Sequence, residues 1–162
     1  MSTSLGVAVI GAGMAGKAHA AGYRTAPTVY DSILPEVRLV SIADVNAPLA
    51  EAAARRFGYS RHDTAWQAVV EADDVDVVSI VVANHLHRPI LEAALAAGKH
   101  VLCEKPLSDA LENARSMAET GREARKNGTV SSVGFVYRRA AGLAAIRDYI
   151  ASGVLGKVLH FS

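Results

Sequence analysis

An apolar run from Leu5 to Ile10 gives way to Gly11-Ala12-Gly13-Met14-Ala15-Gly16, and an alanine-rich stretch follows. Three glycines at this spacing suit a dinucleotide. Gly11 permits a tight turn, Gly13 lets a pyrophosphate approach the backbone, and Gly16 lets a following helix pack closely. The free N–H groups at the helix start, around Met14 and Ala15, face the anion. Chance produces the spacing in roughly one such chain in twelve, so its placement between a strand and a helix carries the weight. The next β-branched run closes on Asp44, whose carboxylate can accept hydrogen bonds from both adenosine ribose hydroxyls. Asp44 lies farther beyond Gly16 than the usual spacing of about 20 residues, and a loop through Pro27 and Pro35 accounts for the excess. A negative charge there repels a 2′-phosphate and no arginine follows closely, which favours NAD, with NADP as the alternative. The competing reading makes Asp44 the cap of a helix beginning near Pro48.

Polar residues also follow the remaining apolar runs: Asn84, His85 and His87 after one, Glu104, Lys105 and Pro106 after the next, Tyr137 and Arg138 after the last. In an open parallel sheet these positions converge on one cleft outside the carboxyl ends of the strands. A lysine beside a positively charged nicotinamide is disfavoured as its ammonium, which suits Lys105 to proton transfer or hydroxyl binding. The bland reading pairs Lys105 with Glu104 as a surface ion pair. A metal at His85 and His87 is not expected, because helical residues two apart do not face each other and no further ligand lies at suitable spacing. Cys103 ends an apolar strand and reads as inert packing. His19, one turn past Gly16, either approaches the cofactor region or packs.

These residues require a particular scaffold. Short β-branched runs alternate with helical spacing, the mark of an α/β fold: a doubly wound parallel sheet with helices on both faces. Strands are expected at Leu5–Ile10, Val37–Ala43, Asp76–Val82, His100–Cys103 and Thr129–Val136, with a weakly marked one at Tyr59–Arg61. Those at Val37, Asp76 and Thr129 read as buried on both faces. Helices are expected at Met14–Thr25, Pro48–Phe57, Thr64–Val70, Pro89–Ala97 and Asp109–Lys126, the last burying Leu111, Ala114 and Ala118 and stopped by Asn127-Gly128. Residues 1–136 form the dinucleotide-binding domain. Residues 137–162 supply a crossover helix through Leu143, Ile146 and Ile150, then a strand at Val158–Phe161, the start of a further domain. Leu155–Phe161 is expected to be disordered, swapped onto a neighbour or paired at an exposed edge.

Composition narrows the function classes. Of 162 residues 51% are hydrophobic, with 17 basic against 16 acidic side chains and a net charge of +1, which excludes a disordered tail and a nucleic-acid footprint. No apolar run approaches the length of a membrane span. One cysteine and no basic leader make the cytoplasm the expected compartment.

The segments Gly11–Ala20 (GAGMAGKAHA), Asn84–His87 (NHLH), Ala97–Leu107 (AGKHVLCEKPL) and Val133–Phe161 together resemble the N-terminal part of the Gfo/Idh/MocA family. The resemblance implies a Rossmann domain followed by an α/β domain whose open sheet forms the other wall of a substrate cleft. Activity would be NAD- or NADP-dependent hydride transfer to or from a sugar, polyol or related small molecule. By position, Lys105 is the substrate-binding lysine that assists proton transfer. Glu104 orients it beside the cofactor, and Pro106 follows a cis peptide pointing Lys105 into the cleft. Asn84 and His87 line the nicotinamide side, and Tyr137 and Arg138 stand toward the substrate. Val82-Ala83 replaces a common Thr-Pro, and the family's second-domain histidine and aspartate have no counterpart. The expectation is therefore a full-length, homo-oligomeric oxidoreductase of which this chain is the cofactor-binding half, inactive alone. The alternative is a non-catalytic nucleotide-binding sensor, against which the retained Glu104, Lys105 and Pro106 argue.

Overall fold

A computed structural model describes residues 4–30 and 35–160. Six parallel strands, β1 (Ser4–Ile10), β2 (Glu36–Ala43), β3 (Arg61–Asp63), β4 (Val77–Ile80), β5 (His100–Cys103) and β6 (Ser131–Val133), form one sheet in the order β3-β2-β1-β4-β5-β6. Six α-helices accompany them: α1 (Met14–Val29), α2 (Ala47–Phe57), α3 (Trp66–Glu71), α4 (His87–Ala96), α5 (Leu111–Lys126) and α6 (Ala141–Ala151). This is the doubly wound order, and its reversal point lies between β1 and β4.

Burial on both faces explains why the central strands read as continuous apolar runs. Along β1, Val7 and Val9 pack with Ile42, Ala20, Ala53 and Ala54 under α1 and α2. Ala8 and Ile10 turn the other way, onto Val78, Ile80, Ile90 and Leu91 under α3 and α4. Helix α2 begins where the Asn46 side chain accepts from Leu49 N–H at 3.2 Å. It ends at Gly58, whose φ of +77° suits the left-handed cap.

Five expectations change. Strand β3 lies at Arg61–Asp63, two residues later than expected. Helix α1 runs through Pro27 to Val29, so the extra sequence before Asp44 is partly helix; the connection at 31–34 lies outside the described residues. Strand β6 is short, and its Ser131 and Ser132 are exposed rather than buried, because it is the outermost strand of the sheet. On α5 the buried side chain is Met117, with Ala114 and Ala124 half-buried, while Leu111 and Ala118 face solvent. The inward stripe shares Ala114 with the expected one but continues through Met117 and Ala124 rather than Leu111 and Ala118. Finally, Val158–His160 forms no strand and is exposed, since it pairs with neither edge of the sheet; Phe161 lies outside the described residues.

Candidate active site

The glycine turn is shaped by backbone contacts. Gly11 has φ of +108°, and a side chain there would strike the Val81 carbonyl; one on Gly16 would strike the Gly11 carbonyl. Gly13 has open space at its missing side chain, so the approach to the backbone is unobstructed there. Helix α1 begins at Met14 with no side chain capping it and no acidic residue in its first turn. Met14 and Ala15 are exposed at that end. The N-terminal N–H groups and the positive end of the helix therefore offer an anion site.

Asp44 extends this site. Its Oδ2 accepts from Ala12 N–H at 2.8 Å and its Oδ1 from Asn46 N–H at 2.9 Å. The cap of α2 is Asn46, so Asp44 instead joins the glycine turn to the end of β2. Each carboxylate oxygen retains a lone pair. Gly11, Gly13 and Asp44 line one cavity of about 370 Å³, together with Val45, Thr64, Trp66, Val82 and Leu86. Its mixture of anion-binding turn, ribose-height carboxylate and apolar walls fits a dinucleotide. Trp66 was not anticipated. Its only sequence signal is a lone tryptophan at the start of α3.

A second polar group surrounds the β5 end. Glu104 Oε1 lies 3.2 Å from His19 Nε2, and Glu104 Oε2 accepts from Lys105 N–H at 2.9 Å. His19 Nδ1 lies 3.2 Å from Ser79 Oγ, which is 2.9 Å from Tyr23 Oη. Burial raises the Tyr23 phenol above its ordinary range, although its bond to Ser79 opposes the shift. The undecided His19 thus stands against Glu104, with Ser79 and Tyr23 behind it; neither of the last two was singled out in the sequence. A side chain on Gly134 would lie 2.6 Å from Glu104 Oε1. The Glu104–Lys105 ion pair is not formed: among the described residues, no carboxylate pairs with Lys105 Nζ. The Lys105-Pro106 peptide is cis.

Tyr137 and Arg138 fall beside Lys105, the three lining a cavity of about 310 Å³. Arg138 also borders a neighbouring cavity of about 450 Å³ that reaches Glu104 and His19. Asn84 is half-buried in a single 3-10 turn, Asn84–Leu86; the cavity that holds Asp44 is lined by its neighbours Ala83 and Leu86 and not by Asn84 itself. His87 takes a different place from the one expected. It is 1% exposed, with Nδ1 3.1 Å from the Leu107 carbonyl and Nε2 3.0 Å from the Val82 carbonyl. Both neighbours are backbone oxygens, and a single ring N–H donates to one of them; His87 is thus packed between the turn after β4 and the loop carrying Lys105 and does not line the cavity. Cys103 is fully buried, and burial with the adjacent Glu104 charge pushes its thiol up to about 12.

Residues 5–135 match the profile of an oxidoreductase family with an NAD-binding Rossmann fold, Gfo/Idh/MocA. The chain is 41% identical to levoglucosan dehydrogenase of Pseudarthrobacter phenanthrenivorans over 160 residues, 98% of this chain and 40% of that protein. It is 37% identical to D-glucoside 3-dehydrogenase of Escherichia coli over 158 residues, 97% of this chain and 42% of the relative. Among solved structures, a levoglucosan dehydrogenase in complex with NADH superposes with a TM-score of 0.91 at 36% identity, covering 96% of this chain and 41% of that one. The chain therefore spans about two fifths of the length of these relatives.

Proposed function

The chain belongs to the Gfo/Idh/MocA oxidoreductase family and carries its NAD-binding Rossmann fold, and from that premise we propose that it is the cofactor-binding part of a dehydrogenase acting on a sugar, polyol or related small molecule. The observation that carries the reading is the cavity joining Gly11 and Gly13 to Asp44; Lys105 lines a separate cavity with Tyr137 and Arg138, and among the described residues no carboxylate pairs with its Nζ. Met14, Ala15 and Gly16 hold the pyrophosphate through backbone N–H groups at the start of α1, and Asp44 holds the adenosine ribose. The bound nicotinamide supplies the hydride chemistry. Asn84 and Glu104 border its ring side. Lys105 binds the reacting hydroxyl or carbonyl and moves its proton, with Tyr137 and Arg138 placing the rest of the substrate. His87 contributes indirectly, by setting the spacing between the Val82 turn and the Lys105 loop. The substrates named for the two curated relatives, levoglucosan and a D-glucoside, support a sugar-like substrate. The proposed setting is cytoplasmic, with the complete protein a homo-oligomer.

Calorimetric titration tests the cofactor half directly. The chain is expected to bind NAD more tightly than NADP, and Asp44→Ala is expected to weaken NAD by about ten- to a hundredfold, the worth of charge-assisted hydrogen bonds. Equal affinity of the variant and the parent, both folded by thermal melting, would remove Asp44 from the site.

A further inference from the structure

We propose that His19 is a positioning residue for Lys105, acting through the Glu104 carboxylate. The inference rests on the reading of Lys105 as the substrate-facing lysine. Its starting point is the order of hydrogen bonds behind the β5 end. Ser79 is fully buried, and its hydroxyl is shared by Tyr23 and His19. The Tyr23 phenol keeps its proton, and Ser79 Oγ is its partner, so Tyr23 O–H donates to Ser79. Ser79 O–H then donates to His19 Nδ1, and the remaining ring proton sits on Nε2, where it donates to Glu104 Oε1. A carboxylate can only accept, so every member of this chain has a matched partner.

The consequence falls on Glu104. With Oε1 held by His19, Oε2 stays on the Lys105 backbone N–H, and the carboxylate is kept away from the Lys105 ammonium. The backbone at Lys105 is thereby anchored while its side chain remains available. His19 and Glu104 side chains are each 15% exposed, so the bond between them is largely shielded from water. Gly134 leaves the space in which the carboxylate sits. His19 thus comes from α1 and Ser79 from β4 to fix a residue at the end of β5.

The Lys105 amide proton reports this brace, because donation to a carboxylate moves it downfield. On the isotope-labelled 162-residue chain, His19→Leu is expected to shift that resonance upfield and remove its exchange protection. His19→Gln is expected to restore both, since its amide can donate to Glu104 and accept from Ser79. Gly134→Ala displaces the same carboxylate without touching His19 and should reproduce the upfield shift, which keeps the test open if His19→Leu does not fold. An unmoved Lys105 amide in the folded variants overturns the proposal, as does a glutamine variant that behaves like leucine. Titrating the parent chain with NAD and watching the Gly11–Gly16 amides reads the cofactor proposal separately. A brace without NAD response leaves His19 in place and removes the cofactor reading.

Discussion

At the residue scale, two neighbours at the end of β5 show how little sequence distance is needed to separate packing from chemistry. Cys103 points into the core beside Ile80 and Val101, whereas Glu104 turns toward His19 at the sheet edge. The thiol is raised from its ordinary 9.0 to about 12, first by burial and then by the Glu104 charge. The neutral thiol is therefore the folded form through the mildly alkaline range. Its contribution to stability is complete below the ordinary thiol range and is lost as pH rises from there toward about 12, because only the unfolded chain ionises in that window. Iodoacetamide at about pH 8 should leave the folded chain unmodified and label it fully in denaturant; rapid labelling of the folded chain would show that the β5 end opens. The glycine turn and the Asp44 carboxylate that bonds to it follow a local spacing, whereas Glu104 and Lys105 stood out by their place after a strand and by the family resemblance. Ser79, Tyr23 and Gly134 did not, since their roles exist only when β4, α1 and the end of β6 converge on one carboxylate. His87 misled for the same reason: its neighbours Val82 and Leu107 are brought to it by the fold.

At the scale of elements, the parallel pairing of all six strands in the order β3-β2-β1-β4-β5-β6 is possible because helix separates every strand from the next and supplies each crossover. The central strands could be read from their β-branched runs because burial on both faces leaves no polar alternation to confuse them. The edges were harder. β3 was expected two residues early, and β6 was expected to be longer and buried, because an edge strand combines exposed positions with a short ladder and so lacks either clear pattern. β3 pairs with β2 over three residues, and side chains add to that ladder: Ser41 O–H donates to Asp63 at 2.6 Å and Arg61 pairs with Asp74 at 2.7 Å. The guanidinium holds the Asp74 carboxyl below its usual range. This geometry orders the local stabilities. Amide exchange should be slowest in β1 and β4, which have strands on both sides, and fastest in β3 and β6. Equal protection of β6 and β4 in exchange mass spectrometry would show that something covers the outer edge.

For the whole molecule, the two halves of the described chain differ in how completely they bury what they carry. Through β5 the apolar side chains meet in two layers, one on each face of the sheet. After β6 that pattern stops: Leu143, Ile146, Tyr149 and Ile150 on α6 are between 41% and 58% exposed, and Val154, Leu155 and Leu159 beyond them are more exposed still. Helix α6 was legible from its apolar spacing, but the same spacing said nothing of what that face would meet. A run of large exposed apolar residues on this scale exceeds what scattered surface hydrophobics explain and favours association. Sedimentation velocity over a concentration series is therefore expected to show reversible self-association of the 162-residue chain. Ile146→Asp should shift the distribution toward monomer while leaving NAD affinity unchanged, because α6 contributes no residue to the dinucleotide cavity. A chain that stays monomeric at every concentration would mean that this face is accommodated within one molecule. Loss of NAD binding together with association would instead place the α6 face and the glycine turn in one cooperative unit, despite their separation in the sheet order.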